Sequence, residues 1–139
     1  LHATRAAAEE GIVAGGGCAL LQCKDAIEAK RKRLRGDEKM GADIITRALE
    51  APLKTIAENT GHNGAVVVSE VLEHGKNEGF DANTGTFVDM FEAGIIDPTK
   101  VTRIALQSAA SVAGLMLSTE TMVTDVEEED EEGVEGSVR

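Results

Sequence analysis

Gly15, Gly16 and Gly17 stand in line between a short apolar run, Ile12-Val13-Ala14, and a helical pattern that starts at Cys18. Three residues without a Cβ free the backbone to take positive φ and let another group come close. Two arrangements use that freedom. A phosphate or nucleotide can sit where such a loop opens a helix, or two helices can cross closely, which is the commoner use of a lone triplet. The triplet has neither the spacing of a Walker loop nor that of a dinucleotide fingerprint. The rest of the chain is rich in Ala, Val, Leu and Ile, with three Phe and no Tyr or Trp. Such a composition suits close helix packing and excludes base stacking on aromatic platforms.

Helical signals cover most of residues 1–124. Ala3, Ala6, Ala7 and Ala8 predict a helix that Gly11 stops, and the apolar link Ile12–Ala14 leads into the triplet. A second helix is expected from Cys18 to about Ala29, with Leu20, Leu21, Cys23 and Ile27 on its buried side. Asp37 is read as the cap of a third, from Glu38 to Glu50, with a stripe of Met40, Ile44, Ala48, Ile45 and Leu49. Pro52 marks a break or a new helix start, and Leu53, Ile56 and Ala57 continue the stripe to Gly61. Val66-Val67-Val68 suits a strand by β-branching, but the Asn63 start and Gly75 stop favour a helix. After Gly79 the period changes. Phe80-Asp81-Ala82 and Thr86–Met90 flank Asn83-Thr84-Gly85, which predicts a β-hairpin. Phe91–Ile96 then links to the longest apolar helix, with Asp97 expected as N-cap and Pro98 at its first position. That helix is expected to be central and buried on most sides. Thr121-Met122-Val123-Thr124 reads as a short strand.

The chain is acidic through its end. Residues 125–139 hold eight acids and one base, net −7 of a formal −11. A block of this density is expected to stay solvated and disordered. It argues against nucleic acid as a partner, because phosphate contacts need Lys and Arg. The run Lys30-Arg31-Lys32-Arg33-Leu34-Arg35 has no aromatic partner and reads as a solvated helix end or loop. An encounter with the acidic tail is allowed by charge, with nothing else in the sequence behind it. Cys18 and Cys23 lie five apart, matching neither a CxxC motif nor a metal spacing, so both are expected as reduced, partly buried thiols. His2, His62 and His74 have no ligand spacing and are expected in structural or solvated roles. No apolar run reaches the length of a membrane span.

Two acids hold candidate positions. Asp97 before Pro-Thr fits a helix cap, and its carboxylate could equally accept hydrogen bonds from ribose hydroxyls. Asp81 beside the turn fits an Asx turn without any ligand.

Long motifs bear on these alternatives. Leu1-His2-Ala3-Thr4-Arg5-Ala6-Ala7 running into Glu9-Glu10-Gly11-Ile12-Val13-Ala14-Gly15-Gly16-Gly17 resembles the segment of group I chaperonins (the GroEL/Hsp60/Cpn60 family) that returns from the intermediate domain into the equatorial domain. Gly94-Ile95-Ile96-Asp97-Pro98-Thr99-Lys100-Val101-Thr102-Arg103 resembles the late equatorial motif, continued by Ala109–Gly114 and Thr119-Glu120. The resemblance covers nearly all of residues 1–124. It implies the C-terminal part of an equatorial domain, a mainly α-helical bundle with a small β-hairpin and a C-terminal strand, followed by the tail 125–139. It implies that Gly16 contacts ATP, that Asp81, Ala82 and Asn83 line the adenine, and that Asp97 binds the ribose. It places Met122–Val126 in a strand at the boundary between ring subunits. Departures are Phe80-Asp81-Ala82-Asn83 where many members have Tyr-Asn-Ala-Ala, the basic run, and an acidic tail in place of a Gly-Gly-Met repeat.

By the same resemblance, the phosphate loop, the Gly-Asp-Gly-Thr-Thr magnesium segment and the apical domain lie upstream. The water-activating aspartate would fall two residues before Leu1. The chain is therefore expected to be part of a larger ATP-dependent protein-folding ring, with Mg²⁺ held by residues outside it, and to be inactive alone. Implied partners are sister subunits, with a co-chaperonin and unfolded clients reached through the other domains. The implied locations are the bacterial cytoplasm, the mitochondrial matrix or the plastid stroma. Two other readings stand beside it: a structural and assembly module without nucleotide binding of its own, and a stand-alone helical regulatory domain with an acidic tail.

Overall fold

The computed structural model describes residues 2–121 and 123. The expected strand around Met122 and the tail 125–139 lie outside the described residues. Seven helices and two small two-stranded sheets follow in the order α1 (His2–Glu10), β1 (Ile12–Ala14), α2 (Cys18–Gln22), α3 (Lys24–Arg31), α4 (Gly36–Ala48), α5 (Ala51–Asn59), α6 (Gly64–Glu73), β2 (Glu78–Asp81), β3 (Thr86–Asp89), β4 (Ile96–Pro98) and α7 (Thr99–Leu117). No helix among the described residues is long and apolar enough to cross a membrane.

The core lies where α2, α5, α6 and the hairpin β2–β3 meet. Cys18, Leu21, Leu53, Val67, Val71, Phe80 and Met90 fill it. Each chain turn into this core has a local cause. Pro52 lies in the first turn of α5, where a missing N–H costs nothing. Asn63 caps α6, its side-chain oxygen accepting from the Ala65 and Val66 N–H groups at 3.0 and 3.3 Å. That cap holds the β-branched Val66-Val67-Val68 run in a helix and turns Val67 and Val68 inward. The hairpin pairs Phe80 with Phe87 and Asp81 with Thr86. Two of the histidines seat it: the His62 ring meets Phe80 edge-on at 5.0 Å, and His74 stacks on Phe87 at 5.1 Å.

Five expectations are corrected. The apolar link Ile12–Ala14 is a strand, antiparallel to Ile96–Pro98, with Val13 opposite Asp97. That pairing holds Asp97 in extended backbone. Pro98 is therefore the N-cap residue of α7, and no side chain caps this helix. The helix expected over Cys18–Ala29 breaks at Cys23, whose N–H bonds back to Leu20 in a tightened turn; Cys18 is buried and Cys23 exposed. The cap of α4 is the extended Arg35, and Asp37 falls in the first turn, where the helix dipole favours an acid. Finally, α7 has no buried residue. The described elements packed on it are chiefly α1 and β4, too few to cover a helix apolar on several sides. Most of the α4 stripe is likewise open, with Ile44 68 % exposed, while Leu49 at its end is buried.

Ion pairs tie the outer helices to one another. Arg103 grips Glu10 through Nε (3.0 Å) and Nη2 (2.6 Å), and Lys100 pairs with Glu9, joining α7 to α1. Arg31 pairs with Asp43 across α3 and α4. Such exposed pairs are screened by solvent and orient the helices more than they hold them.

Candidate functional site

The glycine triplet is shaped by its neighbours on three sides. Gly15 donates its N–H to the Ile95 carbonyl at 2.9 Å, and a Cβ there would lie 3.0 Å from that oxygen. Gly17 has φ +83°, and a Cβ there would lie 2.7 Å from the Leu53 nitrogen in the first turn of α5. The close helix approach is thus real at Gly17, while Gly15 is pressed against the non-helical Ile95 backbone. Gly16 differs. Its φ is +62°, and the nearest neighbours of a Cβ would be the flexible end of Met90 at 3.2 Å and the Phe80 carbonyl oxygen at 3.8 Å. Neither Gly16 nor Gly17 gives its N–H to a partner among the described residues.

Gly16 therefore lies beside β2, one residue from Asp81. Asp97 reaches the same neighbourhood through the β1–β4 ladder, in which Ala14 pairs with Ile96 next to the Gly15–Ile95 bond. Between these segments lies Cys18, fully buried. Burial pushes its thiol pKa up, the Phe80 backbone amide opposes that shift, and the nearby Asp97 charge adds to it. The same sulfur and Met90 fill the space where Gly79 would carry a Cβ. Three segments far apart in sequence thus share one floor: the triplet, the hairpin and the β4–α7 junction.

The expected site residues differ in what occupies them. The Asp81 carboxylate closes the hairpin turn, accepting from the Asn83 N–H at 2.9 Å and from the Thr84 hydroxyl at 2.8 Å. These bonds hold its pKa below the ordinary aspartate value. Two bonds leave acceptor capacity on a carboxylate. Ala82 packs partly against the core, and Asn83 is exposed at the turn. The Asp97 carboxylate is half-buried and accepts no hydrogen bond among the described residues, since the cap expected of it does not form. An acceptor and two backbone donors without partners among the described residues, with a Cβ-less approach at Gly16, suit a polyhydroxylated ligand. The Thr84 bond to Asp81 and the place of Cys18 under the hairpin are not carried by any sequence motif. Gly79 inside a strand pattern was the available sign of a close approach there.

Comparisons with known proteins follow the same lines. A group III chaperonin solved in its open state superposes with a TM-score of 0.77 at 32 % identity, over 85 % of this chain and 25 % of that one. The open-state monomer of a group II chaperonin from Methanococcoides burtonii gives a TM-score of 0.72 at 26 % identity, over 78 % of this chain and 28 % of that one. The chain thus spans about a quarter of the length of these structures. Its helical architecture with small two-stranded sheets is that of a chaperonin equatorial-domain portion. The profile of the TCP-1/cpn60 chaperonin family matches residues 1–127, which is most of the sequence, and with motifs and fold in agreement the chain belongs to that family.

Proposed function

We propose that this chain forms one edge of an ATP site in a protein-folding chaperonin, with Gly16 contacting the nucleotide, Asp81, Ala82 and Asn83 along the adenine, and Asp97 on the ribose. The observation that carries this reading is the convergence of the triplet, the hairpin and Asp97 on one buried floor, with the Asp97 carboxylate and the Gly16 and Gly17 N–H groups left without partners among the described residues. ATP supplies the phosphoryl group, and the protein's part is to position and neutralise it. These residues bind and orient. In this reading, as the chaperonin resemblance implies, Mg²⁺ and hydrolysis are served by segments outside this chain.

Residues 1–124 are read as the C-terminal part of the equatorial domain and 125–139 as an acidic tail. The open face of α7 and the exposed side of α4 at Met40 and Ile44 are read as surfaces covered by the remainder of the domain and by sister subunits in a ring. Assignment to group I rests on the sequence motifs around Gly15–Gly17 and Asp97, since the structures compared are of groups II and III. A purely structural role is favoured by one observation: the Asp81 carboxylate is already engaged in its turn. Photolabelling of the intact protein with 8-azido-ATP separates the two. Peptide mapping should find the label between Phe80 and Asn83, competed away by ATP. Label absent from the hairpin would leave Asp81–Asn83 with a turn-forming role alone.

A further inference from the structure

The basic run forms the tip of the α3–α4 helical hairpin, because α3 ends at Arg31 and α4 begins at Gly36. Over residues 28–39 six bases face three acids, Glu28, Asp37 and Glu38. Arg31 is engaged by Asp43 and Glu28. Lys30, Lys32, Arg33 and Arg35 are exposed and make no ion pair among the described residues. Beside the tip an apolar groove of about 500 Å³ runs between the helices, walled by Ile27, Leu34, Ala42 and Ile45, with Lys30 and Glu38 on its sides. A surface of this kind fits an acidic peptide that carries an isolated aliphatic side chain.

The same chain contains one. Glu127–Glu132 is six consecutive acids, preceded by Val126 and followed, after Gly133, by Val134. We infer that Val126–Val134 docks on the α3–α4 tip of its own chain, its acids against Lys30, Lys32, Arg33 and Arg35 and Val134 in the groove. The reach suffices. Leu106 of α7 and Cys23, where α3 begins, line one concavity. From there α7 runs ~17 Å to Leu117, and α3 runs ~14 Å to its tip, at 1.5 Å per residue. Even pointing apart, the two ends lie about 40 Å from each other, allowing roughly 10 Å for the concavity. Fifteen residues from Ser118 to Glu132 can extend ~50 Å. Tethering then holds the acids near the tip at millimolar effective concentration, which offsets the weakness of exposed ion pairs.

The test is zero-length carbodiimide crosslinking of the intact protein, mapped by mass spectrometry. Lys30 and Lys32 should join Glu127–Glu132 far more than Lys54, Lys76 or Lys100 do. The yield should fall at least tenfold in about 0.5 M salt, where the Debye length shrinks to a few ångströms. It should fall comparably in Arg33→Glu/Arg35→Glu, which leaves both lysines in place. The salt arm uses the unaltered protein and stands even if that variant misfolds. Mixing isotopically labelled and unlabelled protein identifies the donor of the tail. Crosslinks found only between chains, crosslinks spread evenly over all lysines, or a yield indifferent to salt would each overturn the inference.

Discussion

Replacing Gly17 by Ala tests whether the triplet is needed for packing. Gly17 has φ +83°, and a Cβ would lie 2.7 Å from the Leu53 nitrogen, 3.1 Å from its Cα and 3.2 Å from its Cβ. Leu53 is fully buried in the first turn of α5, so its backbone cannot step aside without disturbing the core. Left-handed backbone costs a residue with a Cβ about 1–2 kcal/mol, and overpacking adds about 1–3 kcal/mol, giving a loss of about 2–5 kcal/mol. Gly11→Ala is the control. Its φ is +79° with nothing within 4 Å of a Cβ, so only the first cost applies, about 1–2 kcal/mol. Urea unfolding of the two variants in one background, followed by circular dichroism, measures the difference. Gly17→Ala should unfold at clearly lower urea than Gly11→Ala, with similar slopes. Equal midpoints would refute the claim that close approach to Leu53 constrains this glycine.

Other outcomes follow from particular contacts. Asn63→Ala should cost about 1 kcal/mol in unfolding free energy by removing the α6 cap, and Asn63→Asp should cost little; equal losses would argue against capping. The Asp81 carboxylate has a folded-state pKa below its unfolded value, so its contribution is present above about pH 3.9 and lost as pH falls through the lower folded value. Asp81→Asn keeps a turn acceptor and should flatten that acid-side part of the pH–stability profile, seen as the difference between variant and parent midpoints. Thiol labelling should modify Cys23 quickly and Cys18 only on unfolding, because Cys23 is exposed while Cys18 is buried with its pKa raised by that burial; two equally fast thiols would contradict the core.

Local chemistry was legible in the sequence and long-range pairing was not. Asn63, Pro52 and the Asn83-Thr84-Gly85 turn each act within a few residues, and each lies where its pattern placed it. Asp97 looked like a cap for the same local reason. Its neighbour in space, Val13, is 84 residues away, and the ladder between them claims its backbone. The apolar stripes of α4 and α7 showed which sides avoid water but carried no information on what covers them. The site was legible as separate pieces: a glycine triplet, an Asp beside a turn, an Asp before a proline. That Gly16 and Asp81 are close depends on β2 packing over Cys18, a contact no spacing announces.

Asp97 gives the most direct test of the nucleotide reading. Its carboxylate has no hydrogen-bond partner among the described residues and does not cap α7, so Asp97→Asn removes a charge at little cost to the fold. A hydrogen bond to a charged group contributes about 1.5–3 kcal/mol, and an amide oxygen replaces part of it. The Kd for ATP, measured by titration calorimetry on the intact protein, should therefore rise about tenfold while the unfolding midpoint stays in place. An unchanged Kd with unchanged stability would contradict the placement of the ribose at Asp97, and with it the proposed edge of the site.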